Sequence, residues 1–299
     1  KGFIMRINTN VSSLTAQEAS TNTNKNISNS LEKLSSGLKI NKASDDASGL
    51  AIADKLRTQV TSINQGVSNG NSAIALLQIA DKSMAEQSKI LDTVKSKLIQ
   101  ANTDTTSQAG RTAIAKDVTK LLDQLNNIAK QTNYNGTTLL QATATNPAQK
   151  SALSFQVGES NLDLIKTKNI RANVNGYSLV SLKGHVSAGA ALSAGAAPSA
   201  TGAFTRSFAS AGQKAVDRAI TLLNGYRGDI GSTQNQVESA VRNLMTQSTN
   251  IKAAESVIRD VDYAEESANF NKLNIISQAG SYAISQSNAT QQNVLRLLQ

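Results

Sequence analysis

From Leu56 onward, apolar positions recur at alternating steps of four and three residues: Leu56, Val60, Ile63, Val67, Gly70, Ile74, Leu77, Asp81, Met84, Ser88, Leu91, Lys95 and Leu98. Such spacing over several heptads predicts one long helix with a coiled-coil-like stripe. Apolar neighbours at Ile52, Leu76, Ile79, Ile90 and Val94 widen it, so the helix needs more than one partner. A polar break at Asn102 to Gly110 is followed by a shorter stripe, Ile114, Val118, Leu121, Leu125 and Ile128, which reads as a second helix folding back on the first. Far downstream the pattern returns through Val216, Ile220, Leu223, Ile230, Val237, Val241, Leu244, Ile251 and Ile258. Three stripes of one period bury themselves only against one another, which predicts a bundle joining both halves of the chain.

Between the arms the period changes. Asn133 to Gly136 offers turn chemistry, and Leu153, Phe155 and Val157 alternate with polar residues, an alternation that Leu162 and Leu164 continue. A small β-hairpin is expected there. From Gly184 to Gly212 the chain is rich in Ala, Gly and Ser, which predicts a loosely folded projection. At the N-terminal end Val11, Leu14, Ile27, Leu31, Leu34 and Leu38 mark a helix. Phe270, Leu273, Ile276, Ala279, Ala283, Val294, Leu295 and Leu298 mark another at the C-terminal end. Both are filled out with Ser, Thr, Asn and Gln, moderate helix formers at best, so each is expected to need a partner to fold. Between the first two helices, Ser44 with Asp45 and Asp46 reads as a capped helix start, and Gly37 and Gly49 as the bends of a joint.

Composition narrows the chemistry. The 299 residues contain no cysteine and no tryptophan, so disulfides, thiolate zinc sites and cysteine nucleophiles are excluded. His185 is the only histidine and sits in the small-residue run, so no histidine metal cluster exists. Neither G-x-x-x-x-G-K, G-x-G-x-x-G nor H-E-x-x-H occurs. No enzyme and no cofactor are expected. Both prolines, Pro147 and Pro198, fall between the helical arms. No run is apolar enough for a transmembrane helix, and no secretory signal opens the chain. The net charge of +9 is spread over the chain without interleaved aromatics, which argues against nucleic acid as a partner. Its one concentration lies between Leu164 and Val216, where Lys166, Lys168, Arg171, Lys183, Arg206 and Lys214 meet no acid. A basic outer surface is the expectation.

Longer stretches carry a resemblance. RINTNVSSL (Arg6 to Leu14), LEKLSSGLKINKASDDASGLAIADKLR (Leu31 to Arg57) and NGNSAIALLQIAD (Asn69 to Asp81) resemble the N-terminal signature of bacterial flagellin. QTNYNGTTLL and FQVGE are similar to the segment after it. NLMTQSTNIKAAESVIRDVDYAEESANFNK and the final ISQSNATQQNVLRLLQ resemble its C-terminal end. The resemblance implies a mainly α fold: a long coiled-coil-like bundle of N- and C-terminal segments, a small β-hairpin region and a short variable middle. Segments 1–42 and 260–299 would be inner filament-core helices, 43–160 and 213–259 the two parts of the bundle, and 161–212 a surface-exposed segment.

Filament-core packing then falls to Leu31, Leu34, Leu38, Phe270, Leu273, Ile276, Val294, Leu295 and Leu298. The bundle seam falls to Leu56, Val60, Ile63, Val67, Ile74, Leu77, Leu121, Leu125, Val237, Val241, Leu244 and Ile251. The implied function is self-assembly into the helical flagellar filament of swimming bacteria, after export without a cleaved signal. The partners implied are further copies of the chain, an export chaperone, the filament cap and hook-filament junction proteins, with no membrane insertion. A junction protein or a flagellin-derived secreted effector are the alternatives. The closing LLQ and the LSSGL stretch favour the filament subunit. Many flagellins carry an arginine-rich segment that a host Toll-like receptor recognises. The matching stretch here includes Leu91, Thr93, Val94, Lys95 and Ser96, with Thr93 and Ser96 where that pattern has Arg and Glu, which implies weak recognition.

Overall fold

The computed structural model describes residues 9–141, 152–191 and 202–297, with side chains up to 293. Pro147, Pro198, the side chains of Val294 and Leu295, and Leu298 lie outside the described residues. Six helices and two small hairpins occur among the described residues: α1 (Val11–Ser36), α2 (Ala47–Ala101), α3 (Gln108–Gln131), β1 (Asn133–Tyr134), β2 (Thr137–Thr138), β3 (Ser154–Gln156), β4 (Leu164–Lys166), α4 (Val180–Ala191), α5 (Arg206–Arg259) and α6 (Tyr263–Leu297). The chain divides into two compact units, Lys1–Val60 with Thr249–Gln299, and Thr61–Ser248. These divisions fall inside α2 and α5, later in the chain than the 42/43 boundary taken from the sequence and earlier than the 259/260 one.

The first unit holds α1 and α6. Asn10 starts α1 by accepting the Ser13 amide on its side chain, and Gly37 stops it in the left-handed region at φ 74°, where its N–H reaches the Lys33 carbonyl. The next residues are stitched to the α5–α6 connection: the Lys39 amide donates to the Arg259 carbonyl at 2.7 Å, and the Val261 amide to the Gly37 carbonyl at 3.0 Å. Asp46, not Ser44, opens α2, its Oδ1 accepting the amides of Ser48 and Gly49. Asp45 instead closes the preceding turn by accepting the amides of Asn41 and Lys42. Slight burial works to raise its pKa, but those two amides and the nearby Lys42 and Lys33 outweigh it and hold the carboxyl below its ordinary value.

In the second unit α2, α3 and α5 pack side by side. α3 runs antiparallel to α2, as the Lys97–Asp117 ion pair and the Gln87 side-chain bond to the Leu125 carbonyl show. α5 does the same, with Lys95–Asp217 and Arg227–Asp81 marking its register. Every seventh residue of α2 from Ile63 (Ile63, Gly70, Leu77, Met84, Leu91, Leu98) is buried, as the stripe predicts. The companion row is Gly66, Ala73, Ala80, Gln87, Val94 and Ala101, one residue before the one the sequence suggested. Val67, Ile74, Asp81, Ser88 and Lys95 are only half-buried. A helix facing two partners widens its buried face, and small side chains at its centre let the partners come close.

Both hairpins are antiparallel. Asn135 and Gly136, both at positive φ, make the tight turn between β1 and β2. In the other hairpin Phe155 lies opposite Ile165. Its second strand shows the opposite face from the one the alternation suggested: Ile165 is buried, whereas Leu164 and above all Leu162, 84% exposed, point away.

The middle segment differs most from its sequence reading. In place of a projection, Val180–Ala191 forms α4, which packs along α3, and Tyr177, Leu179, Leu182, Val186 and Phe204 are buried in the principal core. Residues 192–201 of the run lie outside the described residues. A polar node fixes the segment. The Tyr177 hydroxyl donates to Gln87 Oε1 at 2.8 Å, and Gln87 Nε2 donates to the carbonyls of Ala172 at 2.9 Å and Leu125 at 3.3 Å. Burial, with a smaller effect of Tyr226, pushes the Tyr177 phenol well above its ordinary value.

Candidate functional site

Nothing in the second unit gathers reactive groups. Among the described residues no group of three or more His, Asp or Glu side chains could hold a metal ion, and no helix is long and apolar enough to cross a membrane. His185 stacks on Phe208 with ring centroids 4.0 Å apart. The cations of the middle segment do not form an unopposed surface. Lys168 pairs with Asp229, Lys183 with Asp123 and Arg206 with Asp104, each at 2.6 Å, so acids of α5, α3 and the α2–α3 connection answer cations of this segment.

The first unit has an unusual division of side chains. α1 and α6 run antiparallel, tied by Asn10 to Ser287 and Asn288, Asn24 to Ser277, and Ser30 to Glu266. Along α1 the half-buried or buried positions step by three and four: Ser13, Ala16, Ser20, Thr23, Ile27, Ser30 and Leu34. Along α6 they are Glu266, Phe270, Leu273, Ser277, Gly280, Ile284, Ser287 and Gln291. This is a heptad seam made largely of small and polar residues. Ile27, Leu34, Phe270, Leu273 and Ile284 are its large apolar members, and six others stand outside it: Val11 (65% exposed), Leu14, Leu31, Ile275 (67%), Ile276 and Tyr282 (73%). A helix pair with a polar seam and apolar flanks has its remaining burial still to make.

The sequence-derived residues divide accordingly. Of the filament-core set, Leu34, Leu38, Phe270 and Leu273 are half-buried in the first unit, while Leu31 and Ile276 are exposed. Of the seam set, Val60, Ile63, Leu77, Leu125, Val237 and Val241 are buried; Leu56, Val67, Ile74, Leu121, Leu244 and Ile251 are half-buried. Leu91 and Val94 are fully buried, whereas Thr93 and Ser96 are exposed and Lys95 is held by Asp217. Sequence reasoning missed the serines of the α1–α6 seam, because hydropathy alone gives a serine no claim to a buried position. Their three-four spacing was the available signal.

Two family models cover most of the chain. The bacterial flagellin N-terminal helical region matches residues 7–145, and the bacterial flagellin C-terminal helical region matches 213–298. The chain belongs to the bacterial flagellin family. Flagellin of Bacillus subtilis (strain 168) is 35% identical over 98% of this chain and all of its own length. A crystal structure of Bacillus cereus flagellin is 26% identical, covering 63% of this chain and 94% of that one, with a TM-score of 0.46. A Vibrio parahaemolyticus chain described as a flagellar hook-associated protein shares the fold at 12% identity and a TM-score of 0.59, covering 72% of this chain and 99% of that one. As a flagellin, the chain is a structural subunit. It self-assembles into the helical flagellar filament that drives swimming, outside the cell.

Proposed function

We propose that the apolar residues left outside the α1–α6 seam are the surface through which neighbouring subunits join in the filament core. The supporting observation is their exposure beside a seam that is itself polar. Covering a half-exposed Leu, Ile or Tyr is worth on the order of 1 kcal/mol. Six such residues supply a driving force that exists only between copies. A contact between unlike surfaces repeated by a screw operation closes no ring and grows an open tube. Val294, Leu295 and Leu298 are assigned to the same filament-core packing on their sequence resemblance alone. The seam residues of the second unit, by contrast, hold each subunit together by itself.

Export chaperone, filament cap and junction proteins are the further partners, each meeting the terminal helices or the subunit ends. The segment around Leu91 to Ser96 activates a host Toll-like receptor weakly. Its apolar members face the bundle, its exposed positions Thr93 and Ser96 are uncharged, and Lys95 is engaged by Asp217. A dose-response of purified monomer equal to that of a strong activator overturns this.

The test of assembly is the pair Leu31→Asp and Ile276→Asp, singly and together, followed by electron microscopy after seeding. Circular dichroism of the monomers should be unchanged, because both positions are exposed. Filaments should be absent from the double variant. Long, regular filaments from it overturn the reading.

A further inference from the structure

The α1–α6 seam poses a question that filament packing does not answer. Two helices facing each other through a repeating pattern can slide by one heptad and meet again. Apolar side chains normally choose the register by size and shape. Here α1 offers only Ile27 and Leu34 as large seam residues, and α6 only Phe270, Leu273 and Ile284. A sliding pair would keep much of that burial.

The polar residues make the distinction. Asn10 Nδ2 donates to the Ser287 carbonyl and to Asn288 Oδ1, both at 3.3 Å, and Ser287 Oγ donates back to Asn10 Oδ1 at 3.4 Å. Ser277 Oγ donates to Asn24 Oδ1 at 3.2 Å. Ser30 Oγ, in a residue 3% exposed, donates to the Glu266 carboxylate. The three links lie at the start, middle and end of α1, and all fit one antiparallel alignment. Gly280 confirms it from the backbone side, since a Cβ placed there would lie 4.0 Å from Ser20 Cβ. Shifted by seven residues, Ser30 and the carboxylate of Glu266 separate by about 10 Å at 1.5 Å per residue, and no other Asn–Ser or Ser–Glu couple replaces all three.

We infer that Asn10, Asn24 and Ser30, with Ser287, Ser277 and Glu266 opposite, are positioning residues that set the register of α1 on α6. The apolar flanks supply the energy of assembly, while these hydrogen bonds decide which alignment is assembled. The buried Ser30 favours its own alignment because any other leaves a desolvated hydroxyl without its acceptor, while the more exposed Asn10 and Asn24 links add bonds that only this alignment makes. This rests on the assembly surface proposed above but concerns contacts within one chain, so the two fail separately.

The chain has no cysteine, so engineered pairs report cleanly. Full-length chains carrying Ser20→Cys with Gly280→Cys mark the observed register, since that Cβ separation suits a disulfide. Ser13→Cys or Ile27→Cys, each with Gly280→Cys, mark a slip of one heptad either way. Filaments are seeded, oxidised and run on a denaturing gel, where a bond within one chain migrates apart from one between chains. Without further change only the 20/280 pair should close within a chain. Adding Asn10→Ala, Asn24→Ala and Ser30→Ala should cut its yield at least several-fold and let a slipped pair appear. Exchanging partners, Asn24→Ser with Ser277→Asn, or keeping an acceptor with Glu266→Gln, should leave the 20/280 yield intact. If the triple variant does not polymerise, the single Asn24→Ala and Ser30→Ala variants are read the same way. A 20/280 yield unmoved by every alanine change overturns the inference, whether or not filaments form. Regular filaments from the apolar variants count against the assembly surface and leave this inference standing, so the two readings fail on different results.

Discussion

Gly66 turns an ordinary stabilising substitution into a damaging one. In the interior of a helix, Gly→Ala gains about 0.8–1.0 kcal/mol from backbone entropy. At Gly66, however, the new Cβ would sit 2.3 Å from the Val157 carbonyl oxygen and 3.0 Å from its carbon. A relaxed C···O approach is about 3.3–3.6 Å, so the end of β3 must retreat by about 1 Å. Overpacking of this kind costs about 1–3 kcal/mol. The retreat also strains the bond from Asn69 Nδ2 to the Gln156 carbonyl, 3.1 Å long, worth about 1 kcal/mol. The net expectation is a loss of about 1–2 kcal/mol, or about 3–6 °C in the melting temperature of a unit this size. Gly225 in α5 is the control, since nothing lies within 4 Å of its added Cβ. Gly225→Ala should raise the melting temperature by about 2–4 °C. The assay is thermal unfolding of the two monomeric variants by far-ultraviolet circular dichroism at one concentration and salt. If Gly66→Ala melts with or above Gly225→Ala, the hairpin does not press on α2 as described.

Other outcomes follow from the same packing. Val241→Asp puts an unpaired carboxylate on a side chain only 7% exposed and should cost on the order of 3 kcal/mol in denaturant unfolding; wild-type stability would remove it from the seam. Tyr177→Phe strips Gln87 Oε1 of its donor and should cost about 1–2 kcal/mol in denaturant unfolding; wild-type stability would show that the hydroxyl does not hold the node. Asp45 titrates below its ordinary value of 3.8, so its contribution is complete above that pH and disappears as the pH falls through the lower, folded value. A carboxyl titration by NMR with a midpoint at or above 3.8 contradicts this. Removing residues 294–299 should leave the melting of the bundle unchanged and abolish filaments under the electron microscope; regular filaments from that truncation place the assembly surface elsewhere.

The bundle was legible wherever burial is carried by large apolar side chains. Ile63, Leu77, Met84, Leu91 and Leu98 announce their row, and Val216, Leu223, Ile230 and Val237 announce the facing one. Where close approach matters more than volume, the pattern fades. Gly66, Ala73 and Ala80 are as buried as the leucines but add little hydropathy, and Gln87 reads as surface until Tyr177 and two carbonyls are found around it. The middle segment was misread for the same reason. Its alanines and glycines look underspecified, yet they let α4 lie against α3, with Phe204 seated on Gly189. In the terminal helices hydropathy gave no sign of the contacts within one chain: Leu31 and Ile276, assigned to filament-core packing, are exposed in the single subunit, and Ser20 and Ser30 lie in the seam. An apolar residue that waits for another molecule cannot be told from a core residue by composition.

The antiparallel pairing of α1 and α6 also orders events in time. Its links join residues as much as 278 positions apart in the chain, whereas α2 with α3 closes over a short turn. Loop-closure entropy makes the near pairing form early and the far one last. Asn10 and Ser287 lie at opposite sides of all the intervening helices in sequence, so the pair can form only once α6 has been made. A subunit cut short anywhere before α6 has no partner for α1. The α1–α6 pair is therefore a feature of the whole chain, one that no single helix can make by itself.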